Sequence, residues 1–250
     1  MAKTLYFTSA AATTHRGDNT AKLAGATSWW QPFAMSESRG VSATTATAAS
    51  IAGTTVGIEF VSGAVALEWL SEPLSADFTI SGTITGNLWG LESTMNDNTA
   101  INFVVDKVDG ATGAVTQIAK SARVTELGTT PATVNNFPVT PTSTACKRGD
   151  RLRIRPFIDD IGTAMIVGTT TFSYNGPTAA VAGDSYVQFT ENLTFEPAAA
   201  PTGSTYYLTD TAETINPGSA TEKKALTTSG SSSVNAVAST AAGPTAGVQV

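Results

Sequence analysis

Between Asp77 and Trp89 the chain alternates with a period of two. Phe78, Ile80, Ile84 and Leu88 share one parity, and Thr, Ser and Asn fill most positions between them. Alternation of that length describes a sheet with one face buried and the other wet. Val56 to Phe60 alternates too, Ala64 to Leu70 is an apolar run, and further strands are expected at Ile101 to Val108, Ala114 to Ile118, Arg151 to Ile158, Ala164 to Val167, Thr169 to Tyr174 and Tyr186 to Phe195. Residues 1–54 hold no 3.6-residue period, and helical windows are few elsewhere. Asp109-Gly110 and Asn175-Gly176 supply turn chemistry between runs. The expected fold is all-β, an antiparallel two-sheet sandwich of jelly-roll type.

Composition agrees. Charged residues make up 14% of the 250 positions, with Thr, Ala, Ser and Gly in their place; threonine packs well on pleated surfaces while its hydroxyl keeps the outer face hydrated. The net charge of −6 argues against a nucleic-acid-coating role. Cys146 is the single cysteine, so no intrachain disulfide is available, and a buried small apolar role is expected for it. The start, Met1-Ala-Lys-Thr, carries no secretory apolar region, and no run approaches a membrane span.

The chain also repeats part of itself. Thr4-Leu-Tyr6-Phe-Thr-Ser-Ala returns as Thr205-Tyr-Tyr207-Leu-Thr-Asp-Thr211. Ser38-Arg-Gly40-Val-Ser42 and Gly53-Thr-Thr-Val-Gly57-Ile-Glu-Phe60 return as Thr228-Ser-Gly230-Ser-Ser232 and Gly243-Pro-Thr-Ala-Gly247-Val-Gln-Val250. The expected organisation is an N-terminal arm and first strand at 1–54, a sandwich body at 55–197, a Pro/Ala/Gly linker at 198–204, and a C-terminal arm at 205–250 that repeats the opening. With no body after it, that arm is expected to find backbone partners on its own sheet or a neighbour's. Tyr206, Tyr207, Leu208, Val248 and Val250 would enter apolar pockets. Trp29, Trp30 and Phe33 form the densest aromatic cluster, read either as a plug over the sandwich or as an anchor into a neighbouring subunit.

Chemistry is sparse. The one histidine, His15, lies in a Thr-rich arm, and no nucleophile elbow, phosphate-binding loop or zinc-spaced cysteine pair is present. The chain is therefore expected not to be an enzyme. Asp159, Asp160 and Asp184 are candidates for holding calcium, or more plainly are solvated strand-end acids. Arg151, Arg153 and Arg155 alternate with Leu152 and Ile154, which sets three guanidiniums on one face of one strand. Like charges so spaced require acids opposite, on a neighbouring strand or on an adjoining subunit. Arg16-Gly-Asp18 and Arg148-Gly-Asp150 are read as turns.

Several passages resemble virion proteins of tailed bacteriophages: Thr205-Tyr-Tyr-Leu with its spacer, Lys224 to Gly230, Ala242 to Val250, Glu68 to Gly82, Gly86 to Glu92, Gly149 to Arg155 and Gly183 to Thr190. The resemblance implies a β-sandwich built into a particle as a capsid-decoration or minor tail component, made in the host cytoplasm. Its partners would be copies of itself and other virion proteins, with no nucleic acid, membrane or cofactor. A carbohydrate-binding adhesin that recognises a host glycan is the alternative; a glycan hydrolase using two of the acids is a third reading.

Overall fold

The computed structural model describes residues 2–12, 33–50, 53, 57–62, 65–122, 125–179 and 181–197. Sixteen strands and no helix occur among them. In chain order they are β1 (Lys3–Ala11), β2 (Phe33–Ser36), β3 (Thr44–Ser50), β4 (Ile58–Glu59), β5 (Val61–Ser62), β6 (Val65–Ala66), β7 (Trp69–Leu70) and β8 (Phe78–Ile80). There follow β9 (Ile84–Glu92), β10 (Thr99–Val108), β11 (Val115–Lys120), β12 (Ala132–Val139), β13 (Thr144–Cys146), β14 (Arg151–Asp160), β15 (Gly168–Tyr174) and β16 (Tyr186–Phe189).

The long strands fall into two layers. In one, β11 pairs β10 and β10 pairs the whole of β14. Along the other side of β14 lie β7, opposite Arg153 and Ile154, and then β4, opposite Phe157 and Ile158. In the second layer β9 pairs β12 on one side and, on the other, β15 and β16 laid end to end. Next to these run β3 beside β15 and β1 beside β16. β2 joins the layers, antiparallel to β1 and parallel to β7. A separate two-stranded ladder holds β8 and β13.

One apolar cluster fills the space between, with Ile101, Phe103, Val105 and Ile154 from one layer and Phe7, Ile84, Leu88, Phe172 and Val187 from the other. Its centre is aromatic. Trp69 meets Phe7 at 5.1 Å, Tyr174 at 5.0 Å and Phe172 at 5.8 Å between ring centroids, each edge-on. The Trp69 indole N–H, otherwise an expensive donor to bury, donates to the Thr8 carbonyl at 2.8 Å. Gly90 stands where the layers approach closely: a Cβ there would lie 2.2 Å from Ile101 Cδ1.

The junction of β15 and β16 is sealed by one hydroxyl. Ser185 Oγ accepts from the Trp89 N–H at 2.9 Å and donates to the Ser173 carbonyl at 2.6 Å, so the ladder along β9 crosses the gap while residues 175–185 loop away.

Two expectations are corrected. The opening segment is no arm ahead of the body, because β1 and β3 are strands of the second layer and Leu5 and Phe7 are core residues. Residues 164–167 form a loop rather than a strand, with Met165 buried and Ile166 and Val167 exposed.

Candidate functional site

The arginine row finds its acids within the chain. Asp106, opposite Arg153 on β10, is 2% exposed and accepts from Arg153 Nη2 at 2.8 Å and Arg155 Nε at 3.3 Å. Arg153 Nη1 also lies 3.5 Å from Glu68 Oε2, and Arg155 Nη1 pairs with Glu59. Three carboxylates thus surround two guanidiniums. Burial pushes the Glu68 carboxyl up to about 7; the two arginines oppose that rise, while Glu59 and Asp106 add to it. Arg151 is 1% exposed and donates to the Ser71 carbonyl at 3.0 Å. Arg153 and Arg155 therefore belong to an internal ion-pair network and Arg151 is buried against the Ser71 carbonyl, and the expectation of Arg151, Arg153 and Arg155 as an intersubunit contact is corrected: alternation along β14 could not show which acids the strands paired beside it bring to that row. A lone Asp inside the apolar run 101–108 was the available signal for the partner.

The lane held by β1 is the second constellation. Leu5 and Phe7 point into the core, whereas Thr4, Tyr6 and Thr8 engage the neighbouring strands through their side chains. Gln188 Nε2 donates to Thr4 Oγ1 at 3.0 Å, Thr8 Oγ1 donates to the Ala34 carbonyl at 2.6 Å, and the Tyr6 ring meets Tyr186 edge-on at 5.5 Å. The Arg39 guanidinium lies 4.7 Å from the Tyr6 ring centre and pairs with Asp184 at 2.8 Å, which holds its pKa above the ordinary value. Two glycines close the packing around the lane and β4. A Cβ on Gly40 would lie 2.0 Å from Asn175 Oδ1, and one on Gly57 would lie 2.7 Å from the Phe157 ring. A cleft of about 650 Å³ opens beside β1 and β2, with Leu5, Ala10, Ala34, Met35 and Phe195 among its walls and Glu37 and Arg39 among its charges.

Other expected residues are placed as follows. Phe33 belongs to β2, is half-buried and packs against the core of its own chain, with its ring 5.6 Å from that of Trp69. Trp29, Trp30, Tyr206, Tyr207, Leu208, Val248 and Val250 lie outside the described residues, as does His15. Of the calcium candidates, Asp184 is engaged by Arg39 at the β1 lane. Asp159 and Asp160 end β14, where the Gly162 N–H donates to Asp160 Oδ2 at 3.0 Å. Among the described residues no three carboxylate, thiol or imidazole side chains gather into a cation site. Arg148-Gly-Asp150 is a turn: Gly149 has φ 91°, and Asp150 accepts from the N–H groups of Lys147 and Gly110 at 2.8 and 3.1 Å. Cys146 is buried, and burial pushes its thiol up to about 11.

No family model and no curated protein matches the chain. Solved structures do. A CocE/NonD family hydrolase from Staphylococcus aureus matches at 12% identity and TM-score 0.42, over 76% of this chain and 36% of that one. An aminopeptidase from a marine sediment Thaumarchaeota archaeon matches at 10% identity and TM-score 0.48, again over 76% and 36%. A structure of infectious bursal disease virus, Gt strain, matches at 10% identity and TM-score 0.19, over 60% and 36%. This chain spans 36% of the length of each. The expectation that the chain is no enzyme is not upheld, since hydrolases stand among these matches. At such TM-scores, however, the likeness transfers no activity, substrate or catalytic residue.

Proposed function

We propose that this protein is a structural component of a virus particle, of the tailed-bacteriophage kind its sequence resembles, and that its C-terminal segment fastens it to other copies of itself and to further virion proteins. One observation carries the reading. The second copy keeps the residues through which the first copy docks. Thr205, Tyr207 and Thr209 repeat Thr4, Tyr6 and Thr8, each of which engages a neighbouring strand through its side chain. Gly230 and Gly247 repeat Gly40 and Gly57, where a side chain would strike Asn175 and Phe157. A merely solvated tail has no use for that set. Main-chain pairing along a sheet supplies affinity, and alternate side chains supply selectivity.

Removal of residues 204–250 tests it. The shortened chain is expected to keep the cooperative unfolding of the sandwich and to lose self-association, measured by sedimentation, and incorporation into particles. Equal incorporation of the shortened and full chains refutes the reading.

A further inference from the structure

The repeat specifies a register as well as a partner. We infer that residues 205–209 of one copy take the lane that residues 4–8 hold in a second copy, beside β16 and β2, by strand exchange. The inference rests on the assembly reading above and adds to it the surface, the partner and the alignment.

Burial along β1 separates two sets of side chains. The set facing neighbouring strands is Thr4, Tyr6 and Thr8, and all three recur unchanged as Thr205, Tyr207 and Thr209. In the lane Thr205 would accept from Gln188, Tyr207 would lie between the Tyr186 ring and the Arg39 guanidinium, and Thr209 would donate to the Ala34 carbonyl, as their counterparts do. The inward set is Leu5 and Phe7, both within 1% of complete burial, and it recurs as Tyr206 and Leu208. In that lane both copies would present one leucine and one aromatic ring to the core, in opposite order. Cores tolerate such rearrangements when total volume is kept; the Tyr206 hydroxyl is the one polar addition.

For the segment to enter, β1 of the receiving copy must leave. The backbone hydrogen bonds that residues 4–8 make to β16 and β2 would then be lost and remade by 205–209, and exchange of matching elements is a low-cost route between copies. With the hydrogen bonds balanced, concentration decides the outcome. A tethered β1 holds the lane in dilute solution, and crowding of subunits favours the incoming strand.

The register predicts which residues face each other. Thr4 lies opposite Gln188 and Tyr6 opposite Tyr186. The Phe7 N–H donates to the Ser185 carbonyl at 3.1 Å, which puts Phe7 on the hydrogen-bonding parity of β1 toward β16, and the pairs at Tyr6 and Thr4 on the other parity are of the closer, non-bonded type. That spacing suits a disulfide. The test is the full chain carrying Cys146→Ala with Gln188→Cys and Thr205→Cys, mildly oxidised over a range of concentrations and run without reductant. A second variant, Tyr186→Cys with Tyr207→Cys, repeats the register at the aromatic pair, and Gln188→Cys with Tyr206→Cys tests a one-residue slip. Covalent dimers and higher species that increase with concentration in the first two variants, and not in the slipped one, are expected. Absence of cross-links, bonds confined to single chains, or equal cross-linking in the slipped variant overturns the inference. If the cross-links fail while removal of 204–250 still abolishes assembly, the register is wrong and the assembly reading stands; if both fail, both fall.

Discussion

Replacing Glu68 by Gln should reveal how much the ion-pair network loses when it ionises fully. Glu68 is buried beside Arg153, and its carboxyl stands at about 7 against an ordinary 4.5. An acid whose folded-state value lies above its unfolded one holds its proton more tightly in the folded protein, so the associated stability is complete below 4.5 and is lost as the pH rises to about 7. At about 1.4 kcal/mol per pH unit the full loss comes to about 3 kcal/mol, most of it incurred between about pH 5 and pH 8. Gln has the shape of the protonated acid and keeps an acceptor for Arg153. At about pH 5 the variant and the parent should be close in stability; at about pH 8 the variant should be more stable by roughly 2 kcal/mol, or about 4–8 °C in midpoint for a domain of this size. Thermal or urea unfolding of both proteins at the two pH values measures this. Glu92, pushed up to about 7 by burial, titrates in both and cancels in the comparison. A Glu68→Gln difference that is the same at both pH values, or that favours the parent at the higher one, refutes the reasoning.

Asp106→Ala leaves Arg153 and Arg155 without their shared carboxylate and should lower stability by about 3 kcal/mol in urea unfolding; a loss below about 1 kcal/mol would mean that Glu59 and Glu68 suffice. Gly90→Ala should cost about 1–3 kcal/mol by overpacking against Ile101 Cδ1 and the Thr171 carbonyl, and adding Ile101→Val, which removes that methyl, should recover part of it. Cys146 should resist a thiol reagent at neutral pH and react only at the rate of unfolding, because its thiol is buried and held up at about 11; rapid labelling of the folded protein would contradict its placement.

The sequence was readable where alternation used large side chains. Ile80, Ile84 and Leu88 are all fully buried, as their shared parity required. The same run conceals a break, since β8 pairs β13 while β9 lies in the second layer. In β3 the pattern is Thr against Ala, with Ala46 and Ala48 facing inward and Ala46 paired with Phe172. Such small inward residues leave room for large aromatic neighbours, but they give no apolar signal of their own, so the strand was assigned to an arm. Ile166 and Val167 misled in the opposite direction, as apolar residues on an exposed loop. Of the ion-pair site, the arginines were legible from parity. Their covering was not, because Glu59, Glu68 and Asp106 come from three other segments brought together only by pairing of β4, β7 and β10 with β14.

The serine stitch between β15 and β16 has a practical side. Each end of the 175–185 excursion is pinned separately, with the Gly176 N–H donating to the Gly183 carbonyl at 2.8 Å and Ser185 bridging the strands beneath. Length between those two glycines is thereby uncoupled from the ladder, which makes this the natural place to graft a tag or foreign epitope onto the molecule while its framework continues to close underneath.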